Sequence, residues 1–158
     1  MEQNNQKLDE ADIKLLSILQ LDAAVSLEEL SKRTAMSANT AWRRIKRMEE
    51  AGIIEKRVAL INPEAVGLGM TVFVAIKTSD HSDAWLEGFA AAVRAIPEVV
   101  EFYRMSGETD YLLKLLVASI TDYDRVYKKL IRSAKLNDVS SSFAMETIKS
   151  TTAVPLRL

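Results

Sequence analysis

The hydrophobic pattern of this chain changes near residue 62, and this change limits the possible folds more than any other feature of the sequence. In segment 1–61, apolar residues recur at the three- and four-residue spacing of amphipathic helices. In segment 70–158, strand-like apolar runs alternate with two helical patterns. Between them, segment 62–69 contains one proline and two glycines, which break regular elements and permit turns. The sequence therefore predicts two small domains, 1–61 and 70–158, connected by a hinge linker.

Three helices are predicted in the first domain, and each follows a residue that caps helices well: Asp9, Ser26 and Ser37. A tight turn over residues 35–37 separates the second helix from the third. Residues 53–60 follow as one strand or two short strands. Two short helices, a tight turn and a third helix before a β-segment predict a winged helix-turn-helix domain.

The second domain has the pattern strand, helix, strand, strand, helix, strand. The predicted strands cover 70–78, 99–106, 111–118 and 139–148, and the predicted helices cover 82–96 and 121–133. This βαββαβ order predicts a ferredoxin-like domain, so the whole chain belongs to the α+β class. The two strands that would be central are apolar on both faces, whereas the two helices cover only one face. We expect a second subunit to cover the other face, although a half-exposed face is an alternative.

Composition argues against several functional classes. The chain has no cysteine, which excludes a disulfide framework, a thiolate nucleophile and a cysteine-ligated metal site. Its single histidine, His81, excludes a multi-histidine metal centre and argues against a Ser-His-Asp triad. The N-terminus resembles neither a secretory signal nor a transit peptide. The longest uncharged apolar stretch has 12 residues, too few to span a bilayer. We therefore expect a soluble cytoplasmic protein without a metal or cofactor.

The formal charge of −1 conceals a strongly basic segment. Residues 32–47 carry six basic side chains and no acidic one, between flanks rich in Asp and Glu. In the third predicted helix, Ala41, Ile45 and Met48 fall on one line, which predicts the face that packs on the earlier helices. Trp42 lies beside this line. The opposite side is polar and basic: it carries Asn39, Thr40, Arg43, Lys46 and Arg47.

Such a face has the chemistry needed to read duplex DNA. Arginine can donate two hydrogen bonds to guanine O6 and N7, and asparagine can pair with adenine N6 and N7. We expect Asn39, Thr40 and Arg43 to contact base edges. We expect phosphate contacts mainly from four further residues of the turn and helix: Ser37, Arg44, Lys46 and Arg47. A solvated basic face is the alternative, and the helix-turn-helix context favours DNA.

Ordered motifs across nearly the whole chain resemble those of the Lrp/AsnC (feast/famine) transcriptional regulators. Four segments carry the resemblance. LDEADIKLLSILQLD resembles the opening helix of that family, and LEELSKRTAMSANTAWRRIKRMEEAGII resembles its helix-turn-helix. PEVVEFYRMSGETDYLLKLLV resembles its signature hairpin, and DVSSSFAMETIKSTTAVPL resembles its closing strand. Two positions depart from the family pattern. Thr40-Ala41 stand where relatives of one subgroup often carry Pro-Cys, and Ala23-Ala24 stand where the family usually has an arginine. The first departure bears on base preference.

The SGETDY segment, residues 106–111, is the candidate ligand loop. Gly107 permits a turn with positive φ, while Thr109 and Asp110 offer a hydroxyl and a carboxylate to a zwitterion. From the residues alone an ordinary β-turn is the better interpretation. The family resemblance implies instead that amino acids bind here, usually at subunit interfaces. Tyr103 and Met105 are candidate apolar walls, although core or interface packing explains them equally well.

The sequence thus predicts a sequence-specific transcriptional regulator and not an enzyme. Its expected partners are double-stranded DNA, a small amino acid such as leucine, methionine or cysteine, and further copies of itself, as a homodimer that assembles into higher homo-oligomers, an octamer above all. The alternative is a tetrapyrrole (sirohaem-type) decarboxylase, because some of these enzymes resemble Lrp/AsnC proteins in both domains. Its chemistry would need histidine and cationic groups around an apolar cavity, and this chain has one histidine. An RNA-binding domain has thin support from Tyr103 and Tyr111.

Overall fold

The computed structural model describes residues 8–157, which form two compact units. The first unit, called the head below, comprises residues 8–60 together with residues 149–157. The second unit, called the sheet domain, comprises Ile61–Ile148. The head boundary lies within two residues of the expected start of the linker at residue 62. The final residues, in contrast, lie in the head, whereas the sequence analysis assigned them to the C-terminal domain.

Three helices form the head: α1 (Glu10–Leu19), α2 (Leu27–Thr34) and α3 (Ala38–Glu50). Each begins at its predicted cap, because a side-chain oxygen of Asp9, Ser26 or Ser37 accepts a hydrogen bond from the backbone N–H three residues later. Between α2 and α3, Ala35 adopts a left-handed conformation with φ of 56°, which costs energy for a residue with a Cβ. Ser31 Oγ stabilises this turn by donating to the carbonyl of Met36.

The helices pack around a small apolar core. Its buried residues are Leu15, Leu16, Ile18, Leu19, Leu30, Ala41, Ile45 and Met48. The C-terminal segment adds to this core, since Leu156 packs against it and Val154 N donates to Gln20 Oε1 at 3.0 Å. These contacts explain why residues 149–157 belong to the head although they follow the last strand of the sheet domain in sequence.

Residues 53–60 differ from the sequence-based expectation. One or two strands were expected, but in the described part of the chain this segment pairs with no strand. The amides of Ile53 and Ile54 donate to the carbonyl of Met48 and so close the end of α3. Beyond them, Val58 and Leu60 are 58% and 71% exposed. The strand prediction is wrong for this segment because a β-ladder needs a partner for its backbone groups, and the head provides none.

The sheet domain has the predicted βαββαβ order. After a short 3-10 helix, Glu64–Val66, its elements are β1 (Met70–Lys77), α4 (Asp83–Arg94), β2 (Val99–Arg104), β3 (Tyr111–Val117), α5 (Ile120–Ser133) and β4 (Asp138–Phe143). The strands form one antiparallel sheet in the order β2-β3-β1-β4, so β3 and β1 are central, as expected. β4 ends five residues earlier than predicted, because its partner β1 begins at Met70 and offers nothing to pair with beyond Ala144 and Met145.

The two faces of this sheet differ. On the inner face, Val72, Val74, Leu113 and Leu115 are 0% exposed and pack with residues of α4 and α5. On the outer face, Phe73 is 39% exposed, and its neighbours Ala75, Leu112 and Leu116 are only half-buried. Both helices therefore cover one face, and an apolar strip remains accessible on the other within this unit.

Candidate functional site

The predicted amphipathic arrangement of α3 is confirmed. The helix buries Ala41, Ile45 and Met48 against the head core. Its other side contains the residues expected to bind DNA: Asn39, Arg43, Lys46 and Arg47 are exposed, and Thr40 and Arg44 are half-buried. Basic and amide side chains are thus presented together on one helix, as reading of a major groove requires.

The start of α3 combines a cap with hydroxyl groups. Ser37 Oγ accepts from Thr40 N at 3.1 Å and lies 2.8 Å from Thr40 Oγ1. Since one of these two hydroxyls donates to the other, one hydroxyl proton remains available for an outside acceptor. The positive end of the helix dipole lies at the same position, so Ser37 and Thr40 are well placed to bind a phosphate or a base edge.

Two of the basic residues pair with acids of α1, which the sequence analysis did not foresee. Arg44 Nη1 lies 2.8 Å from Asp9 Oδ2 and 2.8 Å from Asp12 Oδ1, and Arg47 Nη2 lies 2.5 Å from Asp12 Oδ2. Asp12 is only 1% exposed. Asp9 and Asp12 also cap α1 through a reciprocal pair of hydrogen bonds. The two acids therefore connect the start of α1 to the middle of α3.

The electrostatics of this cluster follow from those contacts. Hydrogen bonds from the backbone N–H of Asp12 and from the guanidinium of Arg44 hold the pKa of Asp9 below its usual value. Hydrogen bonds to Asp12 and Asp9 raise the pKa of Arg44. Both shifts favour the charged forms of Asp9 and Arg44.

Arg43 and Lys46 differ from these paired arginines. Neither forms an ion pair or a side-chain hydrogen bond with any residue in the described range 8–157. Arg43 borders a shallow depression of about 270 Å³, together with Thr40, Arg44 and Arg47. These two cations are hence the ones that are available to bind an anion without breaking an internal contact.

Trp42 is a residue that the list of expected DNA contacts omits. Its side chain is 51% exposed, although the sequence placed it beside the buried line of α3. It lies on the same helix as the base-reading candidates, where an apolar side chain can contact a thymine methyl group. The pattern of apolar residues gave no signal for this exposure, because Trp42 is as apolar as the core residues next to it.

The candidate ligand loop is anchored to the end of β1. Asp110 Oδ2 accepts from Thr78 N at 2.8 Å, and Asp110 N donates to the carbonyl of Ile76 at 3.1 Å. Gly107 has a φ of +112°, so the predicted need for a glycine at this position is confirmed. One carboxylate oxygen of Asp110, Oδ1, has no hydrogen-bond partner among residues 8–157. Thr109 is half-buried beside it.

Tyr103 and Met105 lie before this loop and are 49% and 42% exposed. Tyr103 OH donates to Glu101 Oε2 at 2.7 Å, and Lys114 Nζ lies 2.9 Å from Glu101 Oε1. These two hydrogen bonds lower the pKa of Glu101. The carboxylate of Glu101 in turn raises the pKa of Tyr103. The tyrosine ring thus lies in a fixed position on the outer face of the sheet.

Two further features bear on function. Among the described residues no helix is long and apolar enough to cross a membrane. Within the same part of the chain, no group of three or more His, Cys, Asp or Glu side chains is arranged to hold a metal ion.

Comparison with known proteins identifies both domains. Residues 8–55 match the family described as winged helix-turn-helix DNA-binding, and residues 71–154 match the Lrp/AsnC ligand binding domain. The glutamate uptake regulatory protein of Zymomonas mobilis is 53% identical over 95% of this chain and 92% of its own length. The DNA-binding transcriptional activator DecR of Escherichia coli is 47% identical over 94% of this chain and 99% of its own.

Solved structures give the same result. An AsnC family transcriptional regulator from Agrobacterium tumefaciens superposes with a TM-score of 0.91 at 49% identity, covering 94% of this chain and 97% of that one. A transcriptional regulator from Neisseria meningitidis, solved in complex with L-Met, superposes with a TM-score of 0.89 at 38% identity, covering 94% and 96%. These relatives regulate transcription and are not enzymes, so the decarboxylase alternative is not favoured. With a helix-turn-helix head and an amino-acid-binding sheet domain, this chain belongs to the Lrp/AsnC family of DNA-binding transcriptional regulators.

Proposed function

We propose that this regulator recognises a specific DNA sequence through α3 and that an amino acid bound at the 106–111 loop changes its DNA binding and its oligomeric state. The observation that carries the proposal is the exposed side of α3. There, Asn39, Arg43 and Lys46 project without a protein partner in the described part of the chain. A structural role alone gives no reason to keep such groups together on one helix.

The individual contacts are assigned by chemistry. Arg43 and Asn39 bind base edges through paired hydrogen bonds, and Thr40 adds a hydroxyl or methyl contact. Ser37 and Lys46 bind phosphates. Arg44 and Arg47 were expected to bind phosphates as well, but their ion pairs with α1 leave fewer of their N–H groups for DNA.

The test is selection of preferred duplexes from a randomised pool, followed by titration at fixed salt. Arg43→Ala should weaken binding to the selected duplex and relax the preference for one base pair. Lys135→Ala in the sheet domain removes the same charge from an exposed position outside α3 and is the matched control. If Arg43→Ala keeps wild-type affinity and preference, the assignment of α3 as the reading helix fails.

The effector assignment rests on the loop and on a relative. Asp110 Oδ1 can accept from an ammonium group, and the loop amides near Gly107 can donate to a carboxylate. Tyr103 and Met105 offer apolar surface to a side chain. The relative from N. meningitidis was solved with L-Met, which supports an apolar amino acid here. We propose leucine, methionine or cysteine as the class of effector.

Thermal shift measurements against the twenty amino acids test this assignment. At least one apolar amino acid should raise the melting temperature, and Asp110→Asn should weaken its binding by roughly 10- to 100-fold through loss of a charge-assisted hydrogen bond. Asparagine keeps an oxygen for Thr78 N, so the loop stays anchored. Glu108→Gln removes a charge from the same loop and is the control. No shift with any amino acid would contradict the proposal.

We also propose that copies of the chain associate through the outer face of the sheet, as a dimer that assembles further, with an octamer as the expected higher form. Phe73, Leu112 and Leu116 give that face its apolar surface. Phe73→Lys should therefore yield smaller species in light scattering, whereas Glu87→Lys on the exposed side of α4 should not. If both variants keep the wild-type mass, this face is not the interface. Since its target is DNA, we place the protein in the cytoplasm.

A further inference from the structure

A buried carboxylate lies beneath the basic side of α3. Asp12 on α1 is 1% exposed, and each of its oxygens contacts a different arginine of α3, Oδ1 at 2.8 Å from Arg44 and Oδ2 at 2.5 Å from Arg47. Asp9 places a second carboxylate 2.8 Å from the same Arg44 nitrogen. The two acids at the start of α1 thus pair with two of the four basic side chains of α3.

The two arginines are held unequally. The side chain of Arg44 is 27% exposed and lies between two carboxylates, whereas that of Arg47 is 43% exposed and pairs with Asp12 alone. If Arg47 leaves, Asp12 is still neutralised by Arg44. If Arg44 leaves, Asp12 is still neutralised by Arg47, but Asp9 also loses its guanidinium partner, so Arg44 is the costlier of the two to release. Arg44 is therefore fixed, and Arg47 is the one that can exchange to another anion.

We propose that Asp12 is a positioning residue that limits how many cations of α3 reach DNA phosphates. The inference rests on the proposed function, because it requires α3 to face DNA. Arg44 connects α3 to the start of α1 through its ion pairs and makes no phosphate contact. Asp12 competes with phosphate for Arg47. Arg43 and Lys46 remain fully available.

This arrangement has a consequence for selectivity. Binding that is independent of sequence grows with the number of phosphates neutralised, and so does its dependence on salt. By retaining two guanidinium groups, Asp12 lowers affinity for arbitrary DNA while leaving the base-reading residues unaffected. The sequence shows four basic residues on α3, but ion pairs with Asp12 and Asp9 reduce the number that can neutralise DNA phosphates.

The experiment measures the affinity of the full-length protein for a mixed-sequence duplex between roughly 50 and 200 mM salt. Asp12→Asn keeps the shape and an acceptor oxygen but removes the charge that holds Arg47. The plot of log affinity against log salt should steepen by about 0.9 for each subunit that contacts the duplex, because one further phosphate is neutralised. Adding Arg47→Gln to Asp12→Asn should return the slope to the wild-type value.

A purely structural role for Asp12 predicts a different result, in which affinity falls at every salt concentration with no change of slope. That outcome, or a double variant as steep as Asp12→Asn, overturns the inference. If Asp12→Asn does not fold by circular dichroism, Arg44→Gln and Arg47→Gln decide, since each should leave the slope unchanged and a decrease of about 0.9 for either one contradicts the inference. Failure of Arg43→Ala to affect the selected duplex would instead contradict the proposed function, so the two failures are distinguishable.

Discussion

Helices α3 and α5 are built alike but use their charged sides differently. Each begins after a serine cap, buries one apolar line and carries four basic side chains. In α5, Lys128 pairs with Asp124 of the same helix at 2.5 Å. Arg125 pairs with Asp122, also of α5, and with Glu98 before β2. Two of the four basic residues of α5 are thus paired, and each has an acidic partner within the same helix.

In α3 the only acids are Glu49 and Glu50 at its end, and the partners of its arginines come from another helix. Arg43 and Lys46 keep no partner within residues 8–157. The comparison teaches that the number of basic residues does not identify a nucleic-acid surface. Two basic residues are unpaired in each helix within the described residues, and α3 differs because no acid of its own precedes Glu49 and because Asn39 and Thr40 accompany its cations.

The largest expected effect concerns the line of buried apolar residues that each of the two helices has. Met48 in α3 and Leu130 in α5 are both 0% exposed. Met48→Ala and Leu130→Ala should each lower the free energy of unfolding by about 2–5 kcal/mol, because each leaves a cavity in a packed core. Denaturant unfolding with hydrogen exchange should locate the first loss in the head and the second in the sheet domain. A loss under about 1 kcal/mol for one of them would show that the buried lines are not comparable.

The next effect should separate the two charged sides. Arg43→Ala in α3 should cost about 1–3 kcal/mol of affinity for the selected duplex, roughly 5- to 150-fold, because a paired base contact is lost. Lys128→Ala in α5 should change that affinity little, since Lys128 is an exposed, internally paired side chain. Fluorescence anisotropy at one salt concentration measures both. Equal losses would mean that the basic residue count, not the pairing, determines DNA binding.

The serine caps provide a smaller and more discriminating comparison. Ser37→Ala and Ser119→Ala should each reduce stability by about 1 kcal/mol, because each removes an oxygen that accepts from a backbone N–H. Only Ser37→Ala should also weaken DNA binding, since its hydroxyl lies at the proposed phosphate site. Thermal unfolding and anisotropy, measured on both variants, test this. A DNA-binding loss for Ser119→Ala would remove the distinction.

The smallest effect is on acid stability. A hydrogen bond from Asp12 N and another from Arg44 lower the pKa of Asp9, and a hydrogen bond from Arg125 followed by one from Ala118 N lowers that of Asp122. A carboxylate with a lowered pKa in the folded protein stabilises it above the unfolded value of about 4, and this contribution disappears as the pH falls through the folded value.

Asp9→Asn and Asp122→Asn should therefore flatten the decline of melting temperature below about pH 4, each in its own unit. Neither should change the melting temperature difference between pH 6 and pH 7. Asp9 is exposed and Asp122 is half-buried at the surface, where solvent screens its charge, so the expected changes are small. A decline as steep as in the wild type for both variants would show that neither carboxylate contributes.

Much of this fold follows from local signals in the sequence. Asp9, Ser26 and Ser37 cap their helices as predicted, because capping depends on residues only three apart. The βαββαβ order placed β1 and β3 at the centre of the sheet, and their apolar residues on both faces fit that position. The spacing of the apolar residues also distinguished the buried side of α3 from its basic side, and so identified the candidate DNA face.

The remaining features depend on parts of the chain that are distant in sequence. The ion pairs of Arg44 and Arg47 require α1 to lie against α3, and no spacing within α3 reveals that. Residues 53–60 look like a strand, yet a strand exists only where a partner is supplied. The exposure of Trp42 depends on which sides of α3 the other helices cover. These three points are tertiary in origin, which is why periodicity alone missed them.

The position of Leu156 in the head core has a consequence for the stability of the head. Because residues 149–157 return to the head, the chain passes between the head and the sheet domain twice, once near residue 60 and again near residue 148. The first connection is covalent, whereas the second depends on the apolar packing of Leu156 and on the hydrogen bond from Val154 N to Gln20 Oε1. Removing residues 149–157 should therefore uncover part of the head core and lower the stability of its helices, while the core of the sheet domain stays intact.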